Sequence, residues 1–230
     1  SASARDVAFT QLRLLGDVIT QVGPTWLELH ADGVAQIPWS ELNSGRQDVT
    51  RLFVQLDGPD RKWFAALGRM VIEPVNGVRV DGGRLGFRLA EGLHVSAFGG
   101  LGPHPILGEP TTNFIVAGAV YDFRAKTFTN SGGLSLQLYR GEPDRLFLSE
   151  RFSFVPDRSL ALFGSVTLDG ISANGLDLTN AYLSARWSPA LALSITLHGS
   201  HSHTLLPNLW WTDWVEQQRQ DLGFSIDGPL

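Results

Sequence analysis

The sequence has no cysteine, and only two of its 18 basic residues, Lys62 and Lys126, are lysines. Without thiols there can be no structural disulfide and no thiolate-bound metal. The formal charge of −5 leaves no basic stripe of the kind a nucleic-acid binder needs, so no nucleic-acid partner is expected. Charged residues make up only 18% of the chain, against roughly 25% in ordinary soluble domains. Long apolar runs are also missing. Although 43% of the residues are hydrophobic and the mean hydropathy is zero, no stretch approaches the ~18 uninterrupted apolar residues of a membrane-spanning helix. No signal-peptide pattern is seen, and the small-residue start Ser1-Ala2-Ser3-Ala4 is consistent with a processed or cut end.

What the chain does have is alternation with a period of two. In "GGLSLQLYRGEPDRLFLSERFSF", Leu134, Leu136 and Leu138 share one side, with Ser135, Gln137 and Tyr139 on the other. After a turn placed at Gly141-Glu142-Pro143-Asp144, Leu146, Leu148, Phe152 and Phe154 alternate with Phe147, Ser149, Arg151 and Ser153. That is the signature of strands with one apolar and one polar face. Further strands are expected over residues 7–19, 25–37, 51–56, 62–72, 78–89, 93–101, 113–123, 127–139, 145–154, 159–168, 178–187, 191–200 and 221–226. A short helix is expected over residues 211–220.

The connections come in two alternating kinds. Tight ones fall at Gln21-Val22-Gly23-Pro24, Asp57-Gly58-Pro59-Asp60, Ala90-Glu91-Gly92, Arg124-Ala125-Lys126, Pro156-Asp157-Arg158 and Ser188-Pro189-Ala190. Between them lie mostly longer segments, residues 38–50, 73–77, 102–112, 169–177 and 201–220, with 140–144 the short exception. Short turns on one rim and long loops on the other are the layout of an up-and-down transmembrane barrel. A soluble sandwich gives the same alternation with its apolar faces turned inward. Three features favour the barrel. Strands of ten or more residues suit an apolar band ~25–30 Å tall. The polar faces carry Ser, Thr, Gln, His and Arg in place of a Lys/Glu mixture. Aromatic residues gather near strand ends, at Trp26, Trp39, Trp63, Tyr121, Phe123, Tyr139, Phe154 and Trp187, as at a membrane interface.

The expected fold is therefore all-β: one transmembrane up-and-down antiparallel β-barrel of roughly 12–14 strands over residues 1–230. Hairpin units such as "FVQLDGPDRKWFAALGRMVI" and "VRVDGGRLGFRLAEGLHVSAFGGLG" resemble those of bacterial outer-membrane porin-like β-barrels. The resemblance implies the bacterial outer membrane as location, the lipid bilayer as surroundings, lipopolysaccharide as a candidate contact and a pore as a common function. It carries over no catalytic residue. Bacterial barrels have an even strand count and begin in the periplasm. Thirteen strands starting on the long-loop side, and an end "SIDGPL" without the aromatic last residue of such barrels, suggest an incomplete barrel closed by a missing segment or a partner chain.

Candidate lumen-lining residues are Arg13, Glu28, Arg84, Arg88, Arg151, Arg186 and His198, all on polar faces, with Asp17, Asp32 and Asp57 beside them. Charges lining a pore tune its ion selectivity, and the same set could form salt bridges that fill a narrow lumen. The cluster "LHGSHSHT" places His198, His201 and His203 at a strand end, but His198 points away from the other two, which disfavours joint metal ligation. His198 and Ser200 share a face at i, i+2, as in barrel lipases and deacylases, although His201 stands where their pattern continues with Asn. Trp210, Trp211 and Trp214 make the long loop "LLPNLWWTDW" a candidate contact surface. The leading expectation is a channel for small polar solutes or ions, non-enzymatic and without cofactor or bound metal. A structural or docking barrel of an envelope assembly, and a lipid esterase built on His198 and Ser200, are the alternatives.

Overall fold

The computed structural model describes residues 9–38, 46–103, 110–170, 175–190, 193–203 and 218–227. Thirteen strands occupy most of them. They are β1 (Phe9–Val22), β2 (Thr25–Pro38), β3 (Arg46–Asp57), β4 (Trp63–Ile72), β5 (Val78–Ala90), β6 (Leu93–Pro103) and β7 (Pro110–Arg124). They continue as β8 (Phe128–Tyr139), β9 (Glu142–Phe154), β10 (Leu160–Asp169), β11 (Asp177–Ala190), β12 (Leu193–His203) and β13 (Gln218–Asp227). Every strand pairs with its sequence neighbours in one sheet ordered β1 to β13, antiparallel throughout. The sandwich alternative is thereby removed, because the described strands form no second sheet for the leucines to pack against.

The expected helix over residues 211–220 is corrected in part: Gln218, Arg219 and Gln220 open β13, paired to His203, Ser202 and His201. The rest of that segment lies outside the described residues. A ladder of cross-strand hydrogen bonds outweighs the weak helical pattern there. The β8–β9 turn is also one step earlier than expected. Arg140 and Gly141 both take positive φ, 53° and 86°, which a two-residue hairpin turn of the right twist demands. Pro143 falls beyond it, opposite Leu138 at a bulge, where its missing N–H interrupts no regular ladder.

The sheet curls. The turn at residues 73–77, between β4 and β5, reaches the concave side and touches β7, β8 and β9. Curvature between β4 and β6 is helped by a directly opposed pair, Gly82 and Gly100. A Cβ on Gly82 would lie 2.1 Å from the Gly99 carbonyl oxygen, so only glycine permits that approach.

Strand register carries the two faces round the whole sheet. Outward lie Leu67, Leu85, Leu134, Leu148, Leu183 and Leu197, each more than a third exposed. Trp63, Phe87, Phe123, Phe128, Phe154 and Trp187 share that outward face in a row near the short-turn rim. This is the aromatic belt that a bilayer interface favours. Two of the expected belt residues belong elsewhere. Trp26 lies on the concave side under the Arg61 guanidinium, 5.5 Å from the ring centre, and Tyr139 packs on the buried Phe114. Trp39 lies outside the described residues. Acidic residues on the outward face have partners: Asp81 meets Arg69 directly opposite it, and Glu150 lies across Gly132 to accept hydrogen bonds from the Tyr121 hydroxyl and the Asn130 amide.

Two outcomes test this layout. Leu148 lies at the centre of β9, outward, between Leu134 and Leu168. Leu148→Arg should cost about 2–4 kcal/mol in vesicle unfolding, whereas Ser153→Ala, on the other face of the same strand, leaves the bilayer contact unchanged. In the β9–β10 turn the Asp157 carboxylate accepts hydrogen bonds from the Ser159 hydroxyl and the Ser159 and Leu160 amides, at 2.6, 2.7 and 3.2 Å. These bonds, led by the Ser159 hydroxyl, hold its pKa below the usual carboxylate value. The stabilisation is present above the unfolded-state pKa of ~4 and is lost as pH falls through the lower folded value. Urea unfolding of Asp157→Asn should lack that part of the acid sensitivity.

Candidate functional site

The concave face is divided. Over β4–β9 it is apolar and sealed: Met70, Ile72, Val80, Phe98, Val116, Val120 and Phe147 are all at most 5% exposed. This corrects the simple expectation of a polar, aqueous inner face. The seal is the inserted turn. Val75 is fully buried among these side chains, and Pro74 beside it is buried too. Asn76 takes the left-handed conformation (φ 57°), which Asn tolerates better than most residues. Its amide nitrogen donates to Thr167 Oγ1 at 2.8 Å, and its amide oxygen accepts from Ser149 Oγ at 3.0 Å. The turn is thus fastened to β9 and β10, the far side of the interior from its own strands.

Beside the turn lies a polar cavity of about 540 Å³, lined by Glu73, Asn76, Arg145, Arg151, Thr167 and His203 among others. Arg145 is neutralised by Asp169 through two bonds, one of them 3.1 Å, and stacks over the Phe147 ring at 4.3 Å. Asp169 is fully buried and also accepts from Thr179 Oγ1. A buried carboxylate needs such complete pairing. Glu73 is held by Arg51 at 2.8 Å. Arg151 presents an exposed guanidinium to the cavity.

Register places every expected lumen residue on the concave face. Arg84 donates to Ser96 Oγ at 3.0 Å, approaches Asp122 at 3.9 Å and lies over the Phe64 ring. Arg88 sits opposite His94, and Arg186 donates to Ser194 Oγ at 3.0 Å. Across β1–β3 the same face is acidic. His30 bridges Asp17 and Glu28, at 2.7 and 3.2 Å, with its ring stacked on Phe53. Arg13 meets Asp32 at 3.4 Å and Arg61 meets Glu28 at 3.5 Å. Arginines on β5, β9 and β11 therefore stand apart from carboxylates on β1–β3.

His198 and Ser200 also share the concave face, opposite Gly223 and Asp221 respectively. Neither makes a hydrogen bond to the other among the described residues, so no activated hydroxyl is assembled. The histidines diverge further than the alternation implies: it sets His201 and His203 together against His198, but His203 is buried in the cavity lining. His201 turns outward to the Leu178 carbonyl at 3.1 Å, and His203 meets Asp177 at 2.7 Å. Trp210, Trp211 and Trp214 lie outside the described residues.

The inserted turn was the feature hidden from sequence reasoning. A signal for it exists. In "FAALGRMVI" apolar residues occupy both faces of β4 apart from Arg69, so its inner side needs a protein cover, and Asn76-Gly77 marks a turn able to double back.

This architecture is a porin-like β-barrel wall. The structure aligns with the crystal structure of Pseudomonas aeruginosa OccD3 (OpdP), an outer-membrane porin, with a TM-score of 0.52 and 12% identity. The match covers 86% of this chain and 53% of that one, so the chain spans about half of that porin's length. No family model and no curated protein matches the chain.

The fastening of the turn is testable. Val75→Ala should destabilise the folded protein by about 2 kcal/mol through lost burial and the cavity left behind. Asn76→Ala should cost about 1–3 kcal/mol, since Thr167 and Ser149 lose their partner. Urea unfolding in vesicles measures both.

Proposed function

We propose that the protein is an outer-membrane channel for small polar solutes or ions, running along the polar part of the concave face. The observation that carries this reading is the cavity between the inserted turn and β9–β12, lined by hydrogen-bonding groups and by Arg151. In this reading Arg13, Glu28, Arg84, Arg88, Arg151, Arg186 and His198 line the passage. Its hydrogen-bonding groups replace the water that a solute gives up, and guanidinium and carboxylate groups on opposite walls set which charge passes. The leucine face meets lipid and the aromatic belt sets the depth in the bilayer. The likeness to OccD3 supports the barrel, and the placement in the outer membrane follows from that likeness by analogy.

Protein extracted from outer membranes and added to a planar bilayer should give discrete conductance steps. Asn76→Ala, by unfastening the turn, should raise the size of the step. Arg151→Glu should shift the reversal potential in a salt gradient towards cation preference. A folded barrel that gives no steps in either form would instead be a scaffold whose interior is plugged by the turn.

A further inference from the structure

Three polar side chains meet on the lipid-facing side of β7, β8 and β9. Tyr121 shares the outward face with Ala119, Asn130 with Leu134 and Glu150 with Leu148. All three are half-buried. Tyr121 and Asn130 each stand two residues, about 7 Å along the strand, from the belt rings of Phe123 and Phe128. The cluster therefore lies just inside the interface at the short-turn rim, too deep for bulk water and within reach of a lipid headgroup.

Counting donors against acceptors leaves this cluster short of hydrogen. The Tyr121 hydroxyl is within bonding distance of Glu150 Oε1 and, at 2.6 Å, of Asn130 Oδ1, yet it has one hydrogen to give. The Asn130 amide directs its two to Glu150 Oε1 and, at 3.3 Å, to the Arg151 carbonyl. Glu150 Oε2 accepts nothing among the described residues. It lies over Gly132, where a Cβ would come within 2.2 Å of it. Phe152, the next outward residue, turns the other way onto Gly164 and leaves the carboxylate uncovered on that side. Nor does a cation of the sheet answer the charge. Asp81, outward near the opposite rim, has Arg69 directly across at 2.6 Å, whereas Glu150 has Gly132 and Val166 across from it. An ionisable group on a lipid face is costly and marks a functional site by default.

We propose that Glu150, Tyr121 and Asn130 form a binding site for the primary ammonium headgroup of an aminophospholipid in the leaflet at the short-turn rim. Such a headgroup brings the missing positive charge and three N–H donors. One meets Glu150 Oε2, and a second serves whichever acceptor the tyrosine hydrogen leaves. The acyl chains then run along Leu134 and Leu148. A trimethylammonium headgroup has no N–H and leaves the acceptors unserved. A second copy of the chain is the poorer occupant, because its two lysines, Lys62 and Lys126, sit in turns beyond the belt. The proposal rests on the leucine face meeting lipid and not on conduction, so a protein without conductance steps leaves it standing.

The test uses the chain refolded into phosphatidylcholine vesicles with phosphatidylethanolamine as the minor lipid. Dicyclohexylcarbodiimide, which joins a carboxylate to an adjacent primary amine, is added, and the products are mapped by peptide mass spectrometry. The expected product is Glu150 linked to phosphatidylethanolamine. Glu150 linked to Lys62 or Lys126 of another copy overturns the lipid assignment. So does Glu150 carrying the carbodiimide without an amine, or left unmodified. In a second measurement the protein is extracted in mild detergent, and the lipids it retains are weighed by native mass spectrometry. Phosphatidylethanolamine should be retained over phosphatidylcholine by about tenfold relative to the vesicle composition, and Glu150→Gln should abolish that preference. Equal retention of the two lipids by the unaltered chain, or an unchanged preference in Glu150→Gln, overturns the proposal.

Discussion

Inside a bilayer the backbone has no solvent to bond with, and this requirement shapes nearly everything seen in the sheet. Each strand must satisfy its neighbours over the full height of the apolar band, so strands run to 10–15 residues and ladders are almost continuous. Most register shifts sit close to strand ends, as at Arg88/Ala90, Leu101/Pro103, Thr167/Leu168 and Trp187/Ala190. Near a rim, water can serve the groups that a bulge releases. The outward leucines then need no tertiary partner, because lipid supplies one.

The interior is under a different constraint. It has room that side chains alone do not fill, and the two halves deal with this differently. On the β4–β9 side an apolar wall is covered by a turn whose Val75 completes a small core. On the remaining wall polar groups are more frequent, and across β1–β3 Arg13 pairs with Asp32 and His30 with Asp17 and Glu28. Arg145 and Asp169 belong to the structural side of this division, since their pairing is buried and internally complete. Arg151, a few residues along the same strand, has its guanidinium exposed at the cavity.

How far the sequence reveals this depends on which physical signal each feature leaves. Alternation in "LSLQL" or "LFLSERFSF" records both faces of a strand directly, and turn chemistry at Gly23-Pro24 or Asp157 marks the short rim. The strands and the facing of Arg84, Arg151 and His198 were legible for that reason. The reach of residues 73–77 was not, because it depends on curvature summed over many strands, to which no local pattern answers. Glu150 shows the same limit. Its sequence position puts a carboxylate among leucines, and only the fold reveals that Tyr121, two strands away, reaches it across Gly132. The His198–Ser200 spacing illustrates the converse, since two residues on one face can still form no bond.

The fastening of the inserted turn has one more consequence. Asn76 is held by hydroxyls and Val75 by hydrocarbon, while Glu73, at the start of the same turn, meets Arg51 in an exposed ion pair at 2.8 Å. Dissolved electrolyte weakens interactions between exposed charges, with a screening length of about 10 Å at 0.1 M, but leaves neutral contacts untouched. In the proposed channel, added salt would therefore weaken the Arg51 end of the turn's fastening while leaving the Asn76 and Val75 contacts in place.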